Sequence, residues 1–357
     1  MLPYYLLVFI PLFFAASTRL AIGDKRSNKL GIGLFFVILI ILLSLRDVSV
    51  GIDLFSYRSF YHFVDFIKFE SLGEALPFEV GYSIFSKIAS IVLDNNFQLY
   101  LTVLAIISII PFAYYYAKES DDFFLTIALF LSCAHFNMLF SALRQSIAIA
   151  LVVPAYYMVK KKKIIPFVLI VLLAMTFHQS AAVMLFIYPI YHIRITKWRF
   201  VAITPIFPVI WLFNEPIFEF FVSFMNEDYQ DKYGTVTETG AIMMILLFSI
   251  LVIFAFLIVD EQKMDKDAYG LRNLLIVCLA MQLFAPISHI AMRMNFYFMA
   301  FIPIAIPRMI KLAKSNLKQV ASLARVIMGV VFIVIFLLSD VLNRDPLNVF
   351  PYEIFMQ

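Results

Sequence analysis

Arg46, Arg144 and Arg293 stand beside long apolar runs, where a guanidinium is hard to accommodate. Near hydrocarbon an arginine needs a carboxylate, carbonyl oxygens or a ligand anion to offset its desolvation. Its planar fork of donors fits phosphate oxygens in bidentate fashion. Each arginine has polar company: Asp53 follows Arg46 across the turn-forming Gly51, Gln145 follows Arg144, and His289 precedes Arg293 by one helical turn. Glu79 and the pair His178/Gln179 fall at the same end of the apolar segments. Arginines, carboxylates and an imidazole meeting at one membrane face describe an anion-binding chamber. Such a chamber can stabilise a pyrophosphate leaving group without a metal. His178 can accept a proton near pH 7 or donate to a phosphate, and Asp53 is the alternative base.

Each residue also has a plainer reading. Arg46 can snorkel at the interface beside a capping Asp53, and Arg144 can be paired structurally. His178 can be a satisfied structural donor. Asp47, Asp53 and Glu79 allow a divalent-ion site, although the chain has no HxxxH pattern. No glycine-rich phosphate loop is present, so nucleotide hydrolysis finds no support. Cys133 and Cys278 both lie in apolar stretches and read as buried structural thiols.

The elements that must position these residues are membrane helices. The chain of 357 residues is 63% hydrophobic and only 15% charged, with a mean hydropathy of +0.93. An ordinary soluble domain carries about 25% charged residues. The expected fold is all-α and polytopic, a single transmembrane domain over 1–357. Apolar stretches fall at about 3–20, 30–45, 98–117, 121–136, 141–159, 164–176, 178–192, 200–213, 240–259, 270–288, 293–310 and 323–340. That gives about 12 membrane segments, some shorter than the ~20 residues of a full span. The short pair 164–176 and 178–192 reads as a dipped hairpin with FHQS at its tip.

Basic residues set the orientation. Most of the 28 Lys and Arg, including the run Lys160–Lys163, fall in loops that share one side if both termini are external. The net charge of +4 reflects those loops and implies no nucleic-acid partner. Two external excursions result, 46–97 and 214–240. The first holds DLFSYRSFYHFVDFIKF, whose aromatic spacing predicts a helix in the headgroup plane, and FEVGYSIFSKIASIVL, a second surface helix or a dip into the bilayer. The second is acidic and reads as a connector or as a lid over a groove.

The motifs RDVSVGIDLFSY, FEVGY, LRQSIAIAL, FHQSA and RMNFYF occur in an order that resembles the EpsG family, over roughly residues 30 to 310. That family includes Wzy-type polymerases of bacterial O-antigen, capsule and exopolysaccharide. FEVGY departs from the small or proline-containing variant expected ahead of Gly81, which weakens the match at Glu79. The resemblance implies a metal-independent glycosyltransferase, with no cofactor, in the bacterial cytoplasmic (inner) membrane. It would polymerise undecaprenyl-pyrophosphate-linked repeat units on the face toward the periplasm or exterior. Donor and acceptor glycan lipids, the bilayer, and a chain-length regulator and flippase of the same pathway are its implied partners. Functional expectation passes to Arg46, Gly51, Asp53, Tyr57, Arg144, Gln145, His178 and Arg293, with Glu79 and Gln179 alongside as substrate contacts. A flippase for a lipid-linked glycan and a glycan ligase are the competing readings; polar residues gathered at one end argue against the first.

Overall fold

The computed structural model describes residues 1–72, 77–133, 135–222, 239–339, 345 and 347–355. Within them the chain is all-α, with two isolated backbone bridges, Arg46 to Ile354 and Val259 to Ala313. It forms two compact units, Met1–Ala182 with Val326–Gln357, and Val183–Arg325.

The first unit contains α1 (Leu2–Ile22), α2 (Asp24–Leu45), α3 (Leu54–Val64), α4 (Val80–Val92), α5 (Phe97–Glu119), α6 (Phe123–Ser132), α7 (His135–Ser141), α8 (Leu143–Lys160) and α9 (Ile164–Met175). The second contains α10 (Ile187–His192), α11 (Lys197–Ile203), α12 (Ile206–Leu212), α13 (Asn214–Val222), α14 (Thr239–Ile258), α15 (Lys266–Gln282), α16 (His289–Met299) and α17 (Ile302–Lys311). A last helix, α18 (Lys318–Leu337), begins in the second and ends in the first.

Among the described residues, five helices are long and apolar enough to cross a membrane: α1, α2, α5, α14 and α18. The number rises to eight if each bent helix pair is one span. This is a polytopic membrane protein. The twelve apolar stretches exceed these spans because several become short or bent helices. The pair Ile290–Met299 and Ile302–Lys311 turns by 43°, and Lys197–Leu212 with Asn214–Phe220 by 83°. Most of the acidic 214–240 loop lies outside the described residues.

In the first unit α8 is an interior helix, buried along nearly its whole length and packed on α5 and α9. Its polar first turn needs no lipid-compatible surface. The short α4 has the reverse of a soluble amphipathic pattern. Ser83, Ser86, Lys87 and Ser90 are buried, while Val80, Ile84, Ile88 and Ile91 form one exposed stripe at helical spacing. A helix of 13 residues is about 20 Å long, too short for the roughly 30 Å hydrocarbon core. Its outward apolar stripe fits the dipping alternative for this segment. The neighbouring α3 instead turns Leu54, Tyr57, Phe60, Tyr61 and Val64 inward and leaves Phe55 and Phe63 exposed.

Contacts within this unit give every long helix a direction. Gln98 at the start of α5 donates to the carbonyl of Ser44 at the end of α2. Lys160 at the end of α8 pairs with Glu119 at the end of α5, 3.1 Å apart. Arg46, Gln98 and Arg144 therefore occupy one end of the unit, and Glu119 with the Lys160–Lys163 turn the other. The helix α8, of 18 residues, separates Arg144 from that basic turn by about 25 Å. The chain start also reaches the Arg46 end: the Tyr4 hydroxyl donates to the Val349 carbonyl at 2.6 Å, and Asp47 N donates to the Glu353 carbonyl at 2.9 Å.

Candidate functional site

At the Arg46 end of the first unit, three segments distant in sequence bring Glu79, Arg144 and His178 together. Glu79 is the residue before α4, Arg144 lies in the first turn of α8, and His178 lies in the turn after α9. One Glu79 oxygen, Oε2, accepts from Arg144 Nη1. The other, Oε1, faces His178 Nδ1 at 3.1 Å and accepts the backbone N–H of Gln179 at 3.3 Å. The carboxylate is 8% exposed, the imidazole 8% and the guanidinium 18%, so the cluster is largely out of water. Burial opposes ionisation of Glu79, yet the hydrogen bond with His178 and the charge of Arg144 outweigh it and hold the carboxyl near 2. Glu79 is therefore a carboxylate at every physiological pH.

Local structure explains the meeting. The backbone of α4 enters against the end of α9, where Gly81 N donates to the Thr176 carbonyl at 2.9 Å. A Cβ on Gly81 would overlap the Thr176 hydroxyl and lie 2.7 Å from its carbonyl oxygen. The glycine is required by this close approach. Gly81→Ala is expected to push α4 away from the FHQS turn, part Glu79 from His178, and destabilise the protein by about 1–3 kcal/mol. Thermal melting of purified G81A protein at the wild-type temperature would show that the approach is dispensable.

Arg144 is held on three sides. Besides the bond to Glu79, its Nε donates to the Tyr57 hydroxyl at 3.4 Å, and the guanidinium lies over the Phe78 ring, 4.3 Å from its centroid. Tyr57 belongs to an aromatic cushion with Phe60, Phe78 and Tyr82. A cation in the first turn of a helix opposes the macrodipole, which favours an anion there. Glu79 offsets that conflict. Nη2 of Arg144 makes no hydrogen bond among the described residues, and this edge can meet a further anion.

On its other side, the Glu79 carboxylate orients His178. A proton on Nδ1, pointed at Glu79, leaves the lone pair on Nε2. This is the tautomer a general base requires.

The remaining residues singled out in the sequence are placed as follows. Asp53 is half-buried at the start of α3, near enough for its charge to act on the Tyr57 phenol. Gln145 is buried beside Arg144. Gln179 contributes its backbone N–H to Glu79, and its side chain is exposed. Arg46 is 1% exposed and has different partners: the Phe140 ring, 5.1 Å away, and the Leu139 carbonyl at 3.5 Å. No carboxylate pairs with Arg46 among the described residues. Arg293 lies on α16 in the second unit, partly buried. Cys133 and Cys278 are buried thiols that form no disulfide with one another.

No three His, Cys, Asp or Glu side chains among the described residues are gathered as a metal ion would need. Asp47, Asp53 and Glu79 thus do not form the divalent-ion site that their order allowed. The contact between Glu79 and His178 escaped sequence reasoning. Its signal was the pairing of an isolated carboxylate with a glycine two residues on, in FEVGY.

No curated protein and no solved structure matches the chain. The EpsG family model matches residues 29–354, nearly the whole sequence and all the segments that build this cluster, and the chain therefore belongs to the EpsG family.

Proposed function

We propose that this protein is a membrane glycosyltransferase that joins undecaprenyl-pyrophosphate-linked repeat units into a surface polysaccharide. The observation that carries this reading is the buried Glu79–Arg144–His178 cluster, built at one end of a membrane unit. Membership of the EpsG family supports the polysaccharide chemistry. The basic turn Lys160–Lys163 caps the far end of α8, and by the positive-inside rule it belongs in the cytoplasm. The cluster then faces the periplasm or exterior of the inner membrane.

In the reaction, His178 Nε2 takes the proton of an acceptor sugar hydroxyl as its oxygen attacks the anomeric carbon of the donor. The bond from that carbon to the pyrophosphate oxygen breaks, and the lipid pyrophosphate leaves with the electron pair. Arg144, through Nη2, meets the growing negative charge. Glu79 is a positioning residue: an ionised carboxylate repels phosphate, and its work is to fix His178 and Arg144. Donor and acceptor lipids are the substrates; the chain-length regulator and flippase of the pathway are its neighbours in assembly.

Purified protein in lipid vesicles, supplied with one lipid-pyrophosphate-linked repeat, is expected to yield a glycan ladder. His178→Ala is expected to slow the ladder by roughly 10²–10⁴-fold while the substrate still binds. No glycan longer than one repeat from the wild-type protein would sink the proposal. Transfer only to a different lipid or protein acceptor would turn it into a ligase.

A further inference from the structure

The segment 347–355 makes a dense set of bonds to the two places from which the substrate site is hung. Toward the turn after α2, Asn348 accepts from Gly51 N at 2.8 Å and Leu347 from Ile52 N at 2.9 Å. The Asn348 side chain donates back to the Ser49 carbonyl at 2.7 Å. Glu353 accepts from Asp47 N through its carbonyl, and through its carboxylate from the Ser49 hydroxyl at 2.9 Å. Phe355 N donates to the Leu45 carbonyl at 2.9 Å, and Ile354 bridges Arg46. Toward the end of α7, the Ser141 hydroxyl donates to the Leu347 carbonyl at 3.0 Å while accepting Ile52 N–H at 3.1 Å.

One hydroxyl thus ties three segments. Gly51 permits this: its φ of +116° and the contact of its would-be Cβ with the Phe140 carbonyl exclude any side chain. The tied segments lead directly into the site. Asp53 and Tyr57 follow the turn within α3's start, and Arg144 follows Ser141 after the Ala142 break.

We infer that residues 347–355 are a positioning strap, which locks the 46–52 turn to the end of α7 and so sets Asp53 and Tyr57 against Arg144. Arg46 is part of this fastening: its guanidinium packs on Phe140 and its backbone pairs with the strap. The strap touches no reacting group itself. It acts through the geometry of Tyr57 and Arg144, and for its catalytic consequence it rests on the polymerase reading above.

Two measurements on the full-length protein test it. The first is independent of activity. In membranes, Arg46→Cys with Ile354→Cys is expected to form a disulfide on mild oxidation, because these residues stand directly opposite one another in an antiparallel bridge, the short Cα separation a disulfide needs. The yield is expected to fall when Ser141→Ala is added. No crosslink, or a yield indifferent to Ser141→Ala, overturns the strap. The second is kinetic. Ser141→Ala is expected to lower kcat by about tenfold while KM for the lipid-linked substrate changes by less than about twofold. Ser141→Thr, which keeps the hydroxyl, is expected to restore kcat. Wild-type kcat in S141A, or an equal loss in S141T, overturns the positioning role. Absence of any polymer from the wild-type chain counts against the polymerase reading, and the crosslink still decides the strap.

Discussion

Glu79→Ala is expected to remove the proposed polymerase activity altogether and to destabilise the protein by about 3–5 kcal/mol, the usual effect of deleting one member of a buried ion cluster. The carboxylate serves two donors at once, Arg144 Nη1 and His178 Nδ1, and also the Gln179 amide. Without it, the guanidinium is left in the first turn of α8 with only the Tyr57 hydroxyl and the Phe78 ring, and the imidazole loses the bond that fixes its tautomer. Glu79→Gln separates the two consequences. The amide oxygen can still take one donor, so much of the fold survives, but a neutral group cannot balance Arg144. Thermal melting in detergent should therefore rank wild type above E79Q above E79A, with both variants inactive on lipid-linked substrate. Wild-type ladders from E79A would show that the cluster has no part in the reaction.

The same carboxylate sets a pH signature. Its folded value near 2 lies below its ordinary 4.5, so ionisation stabilises the folded state. That contribution is complete above about pH 4.5, falls as the pH drops from there toward 2, and is absent below both values. Melting of the wild-type protein should accordingly lose ground between about pH 4.5 and 2 relative to E79Q. Above about pH 5 Glu79 stays ionised and adds no further pH dependence of its own. A gap that holds unchanged from about pH 4.5 down to 2 would mean that the folded state does not favour the ionised Glu79.

The membrane class and the helices were legible in the sequence because hydropathy acts residue by residue: α1, α2, α5, α14 and α18 fall within or around stretches read from composition. The interior helix α8 and the inverted α4 were less legible. Their polar residues face protein rather than water, so the apolar period marks the lipid side and not the core. At the site, the residue types were readable and the partnerships were not. Arg144 and Arg46 look alike in sequence, each at the mouth of an apolar run. Arg144 meets a carboxylate 65 residues away in the chain, while Arg46 is buried against Phe140 and a backbone bridge to Ile354. Nothing local distinguishes them, because the difference comes from which loop returns to which helix end. The strap was invisible for the same reason: nearly all its bonds use a backbone group on at least one side, and backbone groups carry no sequence signal.

Arg144→Lys should be nearly as damaging to the reaction as Arg144→Ala, although lysine keeps the charge. The guanidinium uses its separate edges for separate partners: Nη1 for Glu79, Nε for Tyr57, and Nη2 for the phosphate oxygen proposed here. Its flat face meanwhile lies on Phe78. An ammonium is a point donor on a flexible stem; it can pair with Glu79 but cannot hold Tyr57 and a phosphate in the same plane. R144K should therefore melt close to wild type, since the ion pair with Glu79 survives, while its turnover falls by about 10²-fold or more. R144A should lose both, because it strands Glu79 as an unpaired buried carboxylate. Stability and turnover thus come apart in the lysine variant and fall together in the alanine variant. Were R144K as active as wild type, charge alone would suffice at this position and the assignment of Nη2 to the leaving group would fall.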